Sequence, residues 1–167
     1  MENILMNHKQ IRELIKDTLE KIGMWSKEAE ELVFLTGLVE SGYDYISQIG
    51  SGIARSFWQV ESATAKDSVD NYLGYRRSKL ERVSSVMHIA PDILLEMSDE
   101  DLKNLLWGNI VAGIIFCRIK YWRVPKKIPL DLEGMAQYWK SYYNTEGGAG
   151  TGTHFLEKED KRKDKYA

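Results

Sequence analysis

Residues 26–42 read SKEAEELVFLTGLVESG, and the way this stretch folds decides the rest of the chain. Ser26 is a good helix N-cap, because its hydroxyl can accept from a backbone N–H that the first turn leaves unpaired. Ala29, Leu32, Val33, Thr36 and Val39 recur at three-four spacing as the buried stripe of an amphipathic helix, and Gly42 supplies its stop. Glu40 then lies in the last turn, at the negative end of the helix dipole. A carboxylate held there and desolvated by apolar neighbours is disfavoured as an anion, so its pKa rises toward that of a general acid. Taken alone, the same residue also reads as an ordinary surface glutamate.

Working outward, Ile11, Leu14, Ile15, Leu19 and Ile22 predict a helix before Gly23. After Gly42 the periodicity fails. Residues 43–59 carry Gly50 and Gly52 among polar residues and tyrosines, which predicts a long loop that admits short strands. Ser62 is the expected cap of a third helix reaching about Leu73, residues 79–89 give a fourth, and Pro91 suits the first turn of a fifth around Leu94 and Leu95. Ser98 and Asp101 form a capping box. It opens a stretch in which Leu102, Leu105, Leu106, Ile110, Gly113, Ile114 and Cys117 predict one central, nearly buried helix that must stop before Pro125. Asp131 caps a last helix to about Tyr143. Gly147 to Gly152 reads as a flexible loop, and residues 157–167 as a charged tail without apolar period. The expected architecture is one mostly α domain over residues 1–156, followed by that tail.

Composition narrows the function classes. The chain has 167 residues, 43% hydrophobic and 29% charged, with 23 Lys plus Arg against 25 Asp plus Glu. A net charge of −2 gives no sign of a nucleic-acid binder or a polybasic membrane protein. The start, Met1-Glu2-Asn3-Ile4, runs into charged residues, so neither a signal peptide nor a membrane span is expected. The lone Cys117 excludes an intramolecular disulfide and reads as a packed thiol, and His8, His88 and His154 have no metal-ligand spacing. No metal or organic cofactor is expected. No nucleophile-elbow motif is present, and the glycine loop lacks the lysine of a phosphate-binding loop. Five Trp and nine Tyr are a surplus that suits either a core or a grip on sugar rings.

A resemblance covers residues 32–144. Glu40-Ser41 resembles the Glu-Ser pair of the lysozyme-like superfamily, in particular soluble lytic transglycosylases and goose-type lysozymes. Ala54-Arg55-Ser56-Phe57-Trp58-Gln59 is similar to their Gly-Ala-x-Gly-Leu-Met-Gln stretch, and Thr64 falls where their Pro-x-Thr ends. Asn109-Ile110-x-x-Gly113 resembles the Asn-Ile-x-x-Gly of their central helix, and Tyr143-Asn144 the Tyr-Asn of Ala-Tyr-Asn-Ala-Gly. The fuller run looks like the transglycosylase-type proteins of tailed-phage virions. The chain departs from the pattern at Ser56, Phe57-Trp58, Ser62 and Thr145-Glu146. Ser62 is a benign exchange, since an N-cap replaces a helix-opening proline. Ser56 and Thr145 stand where glycine would let backbone approach a sugar closely.

The resemblance implies cleavage of the β-1,4 bond between N-acetylmuramic acid and N-acetylglucosamine in peptidoglycan glycan strands. Glu40 would protonate the leaving oxygen and then act as base while the muramyl 6-hydroxyl closes on its own anomeric carbon. The alternative is inverting hydrolysis, with Glu61 after Gln59-Val60 holding the attacking water. Glu61 also reads as a carboxylate that merely favours the positive end of the next helix. By resemblance, Ser41 and Gln59 would bond near the scissile sugar, and Tyr43, Tyr45, Trp58, Tyr143 and Asn144 would contact substrate. The other reading of each is a local bond or an anchor in the loop. Trp107, Trp122 and Trp139 are assigned to packing. Delivery in a phage particle, with other virion proteins as partners, is the implied setting. A non-catalytic wall-binding or virion protein that keeps the fold is the competing class.

Overall fold

The computed structural model describes residues 6–50, 52–144 and 155–157. They are 68% helical, without a β-strand. Helix α1 (His8–Lys21) starts at Asn7, whose side chain accepts from Gln10 N, and Gly23 turns the chain at φ +70°. Helix α2 (Lys27–Ser41) is capped by Ser26, which accepts from Ala29 N at 3.0 Å, and ends on Gly42 in the left-handed conformation. The expected stripe is too narrow: every residue from Leu32 to Val39 is buried. Thus α2 is enclosed by its neighbours, and its Thr36 hydroxyl shares a 2.8 Å hydrogen bond with the Tyr121 hydroxyl across the core.

Helix α3 (Ser62–Asn71) corrects one expectation, because Glu61 occupies the N-cap position without a side-chain bond and Ser62 is the first helical residue. A 3-10 turn (Leu73–Tyr75), α4 (Arg77–Met87) and α5 (Pro91–Glu96) follow, with Pro91 in the first turn of α5. The capping box of α6 (Asp99–Gly108) is present, with both the Ser98 and Asp101 bonds made.

The single central helix expected here is two. α6 and α7 (Ile110–Trp122) meet at 117°. Asn109 makes the break: its backbone is extended, its Oδ1 accepts from Ala112 N at 3.1 Å to cap α7, and its Nδ2 donates to Met87 O at 3.3 Å. Gly108 before it is a weak helix former, so ending α6 there is cheap. Among the described residues no single helix is long and apolar enough to cross a membrane. Helix α8 (Leu132–Tyr142) begins at the expected cap, Asp131, which accepts from Gly134 N.

Residues 43–60 are irregular, tied by isolated antiparallel bridges from Arg55 to Ser47 and to Val60. Ser56 stands at φ +67°, in the left-handed region that favours glycine. A Cβ added to Gly113 would lie 2.7 Å from Ser56 Oγ and 2.8 Å from Trp58 Cε3, so α7 receives this turn only because residue 113 has no side chain. One buried apolar cluster includes residues of all eight of these α-helices, and also Phe155. The glycine loop expected at 147–152, Thr145 and Glu146, His154, and the tail from residue 158 lie outside the described residues.

Candidate active site around Glu40

Glu40 is half-buried in the last turn of α2, and its Oε1 accepts from Trp139 Nε1 of α8 at 3.0 Å. Burial pushes its carboxyl up from the ordinary 4.5 to about 7, against the opposing effects of the Trp139 hydrogen bond and the Lys120 charge. Lys120, half-buried on α7, donates to Tyr143 O at 2.8 Å and stands 4.4 Å from the centre of the Tyr143 ring. Burial lowers its pKa, while the negative charges of Glu40 and Glu61 act in the other direction. Tyr45 OH donates to Glu40 O at 2.8 Å, tying the long loop to the end of α2. Beside Lys120 opens a groove of about 500 Å³ whose walls include Thr64, Asp67 and Ser68 of α3 and Arg123 after α7. That volume lies within the range of small-molecule sites, but Glu40 is not among the residues that line it.

Several expected contact residues are corrected by their burial. Tyr43 is enclosed: its hydroxyl donates to Phe34 O at 2.6 Å and its ring stacks on Phe34. Trp58 has no exposed surface and donates through Nε1 to Val33 O at 2.8 Å. Ser41 is turned inward, donating to Gly37 O and accepting from Tyr43 N. Tyr143 is buried, with its hydroxyl donating to Trp58 O at 2.5 Å and its ring stacked on Tyr121. None of these four offers a face to a sugar. They clamp the loop onto α2, α7 and α8, because an enclosed α2 needs large aromatics over it and each buried hydroxyl or indole N–H needs an acceptor.

Gln59 is half-buried at φ +48° and donates to Ser56 O at 2.8 Å. Asn144 is half-buried beside Lys140 Nζ at 3.4 Å. Glu61 is exposed, and its charge reaches Lys120, as does that of Glu40. Tyr45 remains half-buried and touches Glu40 through the main chain.

Two residues of the site were not anticipated. Trp139 is buried, as packing requires, yet its indole N–H is the direct partner of Glu40. Lys120 had a visible signal, being one of only two charged residues, with Arg118, in the otherwise apolar run of α7. Trp107 and Trp122, assigned to packing, are instead 50% and 43% exposed. They stand in the last turns of α6 and α7, where Arg55 lies over Trp107 and Arg118 over Trp122, each at 5.0 Å. Cys117 is a buried thiol whose pKa burial pushes up. Among the described residues no three His, Cys, Asp or Glu side chains gather as metal ligands would.

Compared with protein-family models, with curated proteins and with solved structures, the chain matches none.

Proposed function

We propose that this chain is a lysozyme-like enzyme that cleaves the glycan strands of peptidoglycan, as a lytic transglycosylase with Glu40 as acid and then base. The observation that carries this reading is the Glu40 carboxyl, half-buried at the end of α2 and titrating at about 7, so that at neutral pH protonated and ionised forms are both populated. Trp139 Nε1 occupies Oε1, which leaves Oε2 to carry the proton to the leaving glycosidic oxygen. Lys120 then stabilises the carboxylate that remains, its charge being outweighed by burial while the acid is still protonated. The carboxylate removes the proton of the muramyl 6-hydroxyl as its oxygen bonds to the anomeric carbon. The proton returns to Glu40, no water is consumed, and the reaction as proposed needs no metal or cofactor.

The quoted stretches of the resemblance also come together in space. Gly113 touches Ser56 and Trp58, and Tyr143 bonds Trp58 O. Ser56 adopts the positive φ that the glycine of the resembled pattern would take without strain. A second reading, inverting hydrolysis with Glu61 holding the water, is favoured by one observation: Glu61 and Glu40 both act on Lys120. The setting proposed with either chemistry is a phage particle or the host envelope to which it delivers the enzyme.

Mass spectrometry of muropeptides released from purified peptidoglycan tests both. Products one water lighter than hydrolysed ones identify the transglycosylase, and free reducing ends identify hydrolysis. Glu40→Gln is expected to abolish release. Equal release by the variant would sink the assignment of Glu40 as the acid, and intact strands with the parent protein would sink both chemistries and leave the wall-binding class.

A further inference from the structure

At the end of α2 remote from Glu40, roughly 20 Å away at 1.5 Å per helical residue, three cations gather around the turn between α1 and α2. Lys79 Nζ donates to Ile22 O at 2.6 Å, and Arg118 Nε donates to Met24 O at 2.9 Å. Arg82 Nη1 would stand 2.6 Å from a Cβ added at Gly23. The carbonyls after α1 are a negative helix end, which accounts for the presence of Lys79 and Arg118. It does not account for the whole cluster. Among the described residues no carboxylate forms an ion pair with Lys79, Arg82 or Arg118, in a chain whose net charge is −2.

Arg118 is the telling member. It is only 6% exposed, and while its Nε is bonded, its two terminal nitrogens have no acceptor among the described residues. They are not sealed from solvent either. Such a fork, enclosed but open at its tip, is filled by water or by an oxyanion, and a planar oxyanion edge matches its two parallel N–H groups. Lys79 carries the strain of the arrangement: burial first, and then the charges of Arg82 and Arg118, lower its pKa. Arg118 and Lys79 lie over the Trp122 ring, 5.0 and 5.8 Å from its centre, and the rest of this half-exposed ring extends beside the cluster as a flat surface.

We propose that Lys79, Arg82 and Arg118 form a binding site for a phosphate group carried on a larger organic molecule, with the organic part lying on the Trp122 ring. Phosphate fits better than a carboxylate because three cations match a charge of about −1.5 to −2 and three acceptor oxygens. Two oxygens take the open fork of Arg118, and the third faces Lys79 and Arg82. The site does not depend on the activity of Glu40.

The test is an NMR titration of the full-length, 15N-labelled chain with inorganic phosphate at constant ionic strength, following the Arg118 Nε–H and Trp122 Nε1–H signals. Both are expected to shift saturably. Arg82→Gln, which removes no hydrogen bond seen in the fold, should weaken binding by about ten-fold, as loss of one charged partner does. Lys79→Gln serves as a second variant with the same expected direction. N-acetylglucosamine 1-phosphate should bind more tightly than inorganic phosphate, and Trp122→Ala should remove that advantage. Shifts reproduced by chloride at the same ionic strength, or wild-type affinity in Arg82→Gln, would overturn the site. A sugar phosphate no tighter than phosphate would overturn the role of Trp122.

Discussion

Replacing Glu40 by Gln should make the folded protein more stable at alkaline pH while leaving it unchanged in acid. In the fold the carboxyl titrates at about 7, against an ordinary value of 4.5. Between those pH values the folded chain keeps a proton that the unfolded chain has released, so stability falls as pH rises through this window. The difference, 7 minus 4.5, is 2.5 pH units. At about 1.4 kcal/mol for each, the burial of the anion costs about 3 kcal/mol once pH is well above 7, and nothing below pH 4.5. The substituted glutamine side chain has the shape of the protonated acid, and its amide oxygen can still accept from Trp139. The variant should therefore match the parent near pH 4 and exceed it by about 3 kcal/mol near pH 8.5. Urea unfolding followed by circular dichroism at four pH values measures the difference, and groups common to both chains cancel. A difference that stays flat with pH, or that grows toward acid, would refute the placement of Glu40 in a desolvating site.

Trp139→Phe keeps a ring against Phe155 but removes the donor to Glu40 Oε1. That donor holds the carboxyl down, so Glu40 should titrate about one pH unit higher still; carboxyl 13C NMR reads it, and an unmoved or lower value would contradict the bond. Gly113→Ala places a methyl 2.7 Å from Ser56 Oγ and 2.8 Å from Trp58 Cε3. It should cost about 1–3 kcal/mol as overpacking, and a denaturation midpoint equal to the parent's would show that the turn has room. Asn109→Ala removes the α7 cap and the bond to Met87 O. The expected loss is about 1–2 kcal/mol, with Asn109→Asp intermediate because the cap survives; equal losses for the two would deny the cap its part.

The legible features were those whose causes are local. Ser26, the Ser98 and Asp101 pair, Pro91 and Asp131 each act within one turn of helix, and each stands where it was expected. Glu40 falls at the end of α2 for the same reason. The break at Asn109 was hidden because apolar spacing runs through it, and only the distant Met87 carbonyl shows what its amide is for. Aromatic roles were the least legible. A ring at a given spacing packs or exposes itself according to what lies across the fold, so Tyr43, Trp58 and Tyr143 went inward while Trp107 and Trp122 stayed at the surface. The Trp139 bond spans 99 residues of sequence, a distance over which no local pattern carries information.

That separation has a kinetic side. Glu40 to Trp139, Trp58 to Tyr143, Thr36 to Tyr121 and Met24 to Arg118 are bonds between positions 85 to 99 residues apart. Contacts so distant in sequence close large loops, and they form after local helices have condensed. Until α8 docks, the Glu40 carboxyl is without its Trp139 partner. The candidate site is thus completed only at the end of folding, and a fluctuation that lifts α8 away takes the indole from Glu40 while the local helices persist.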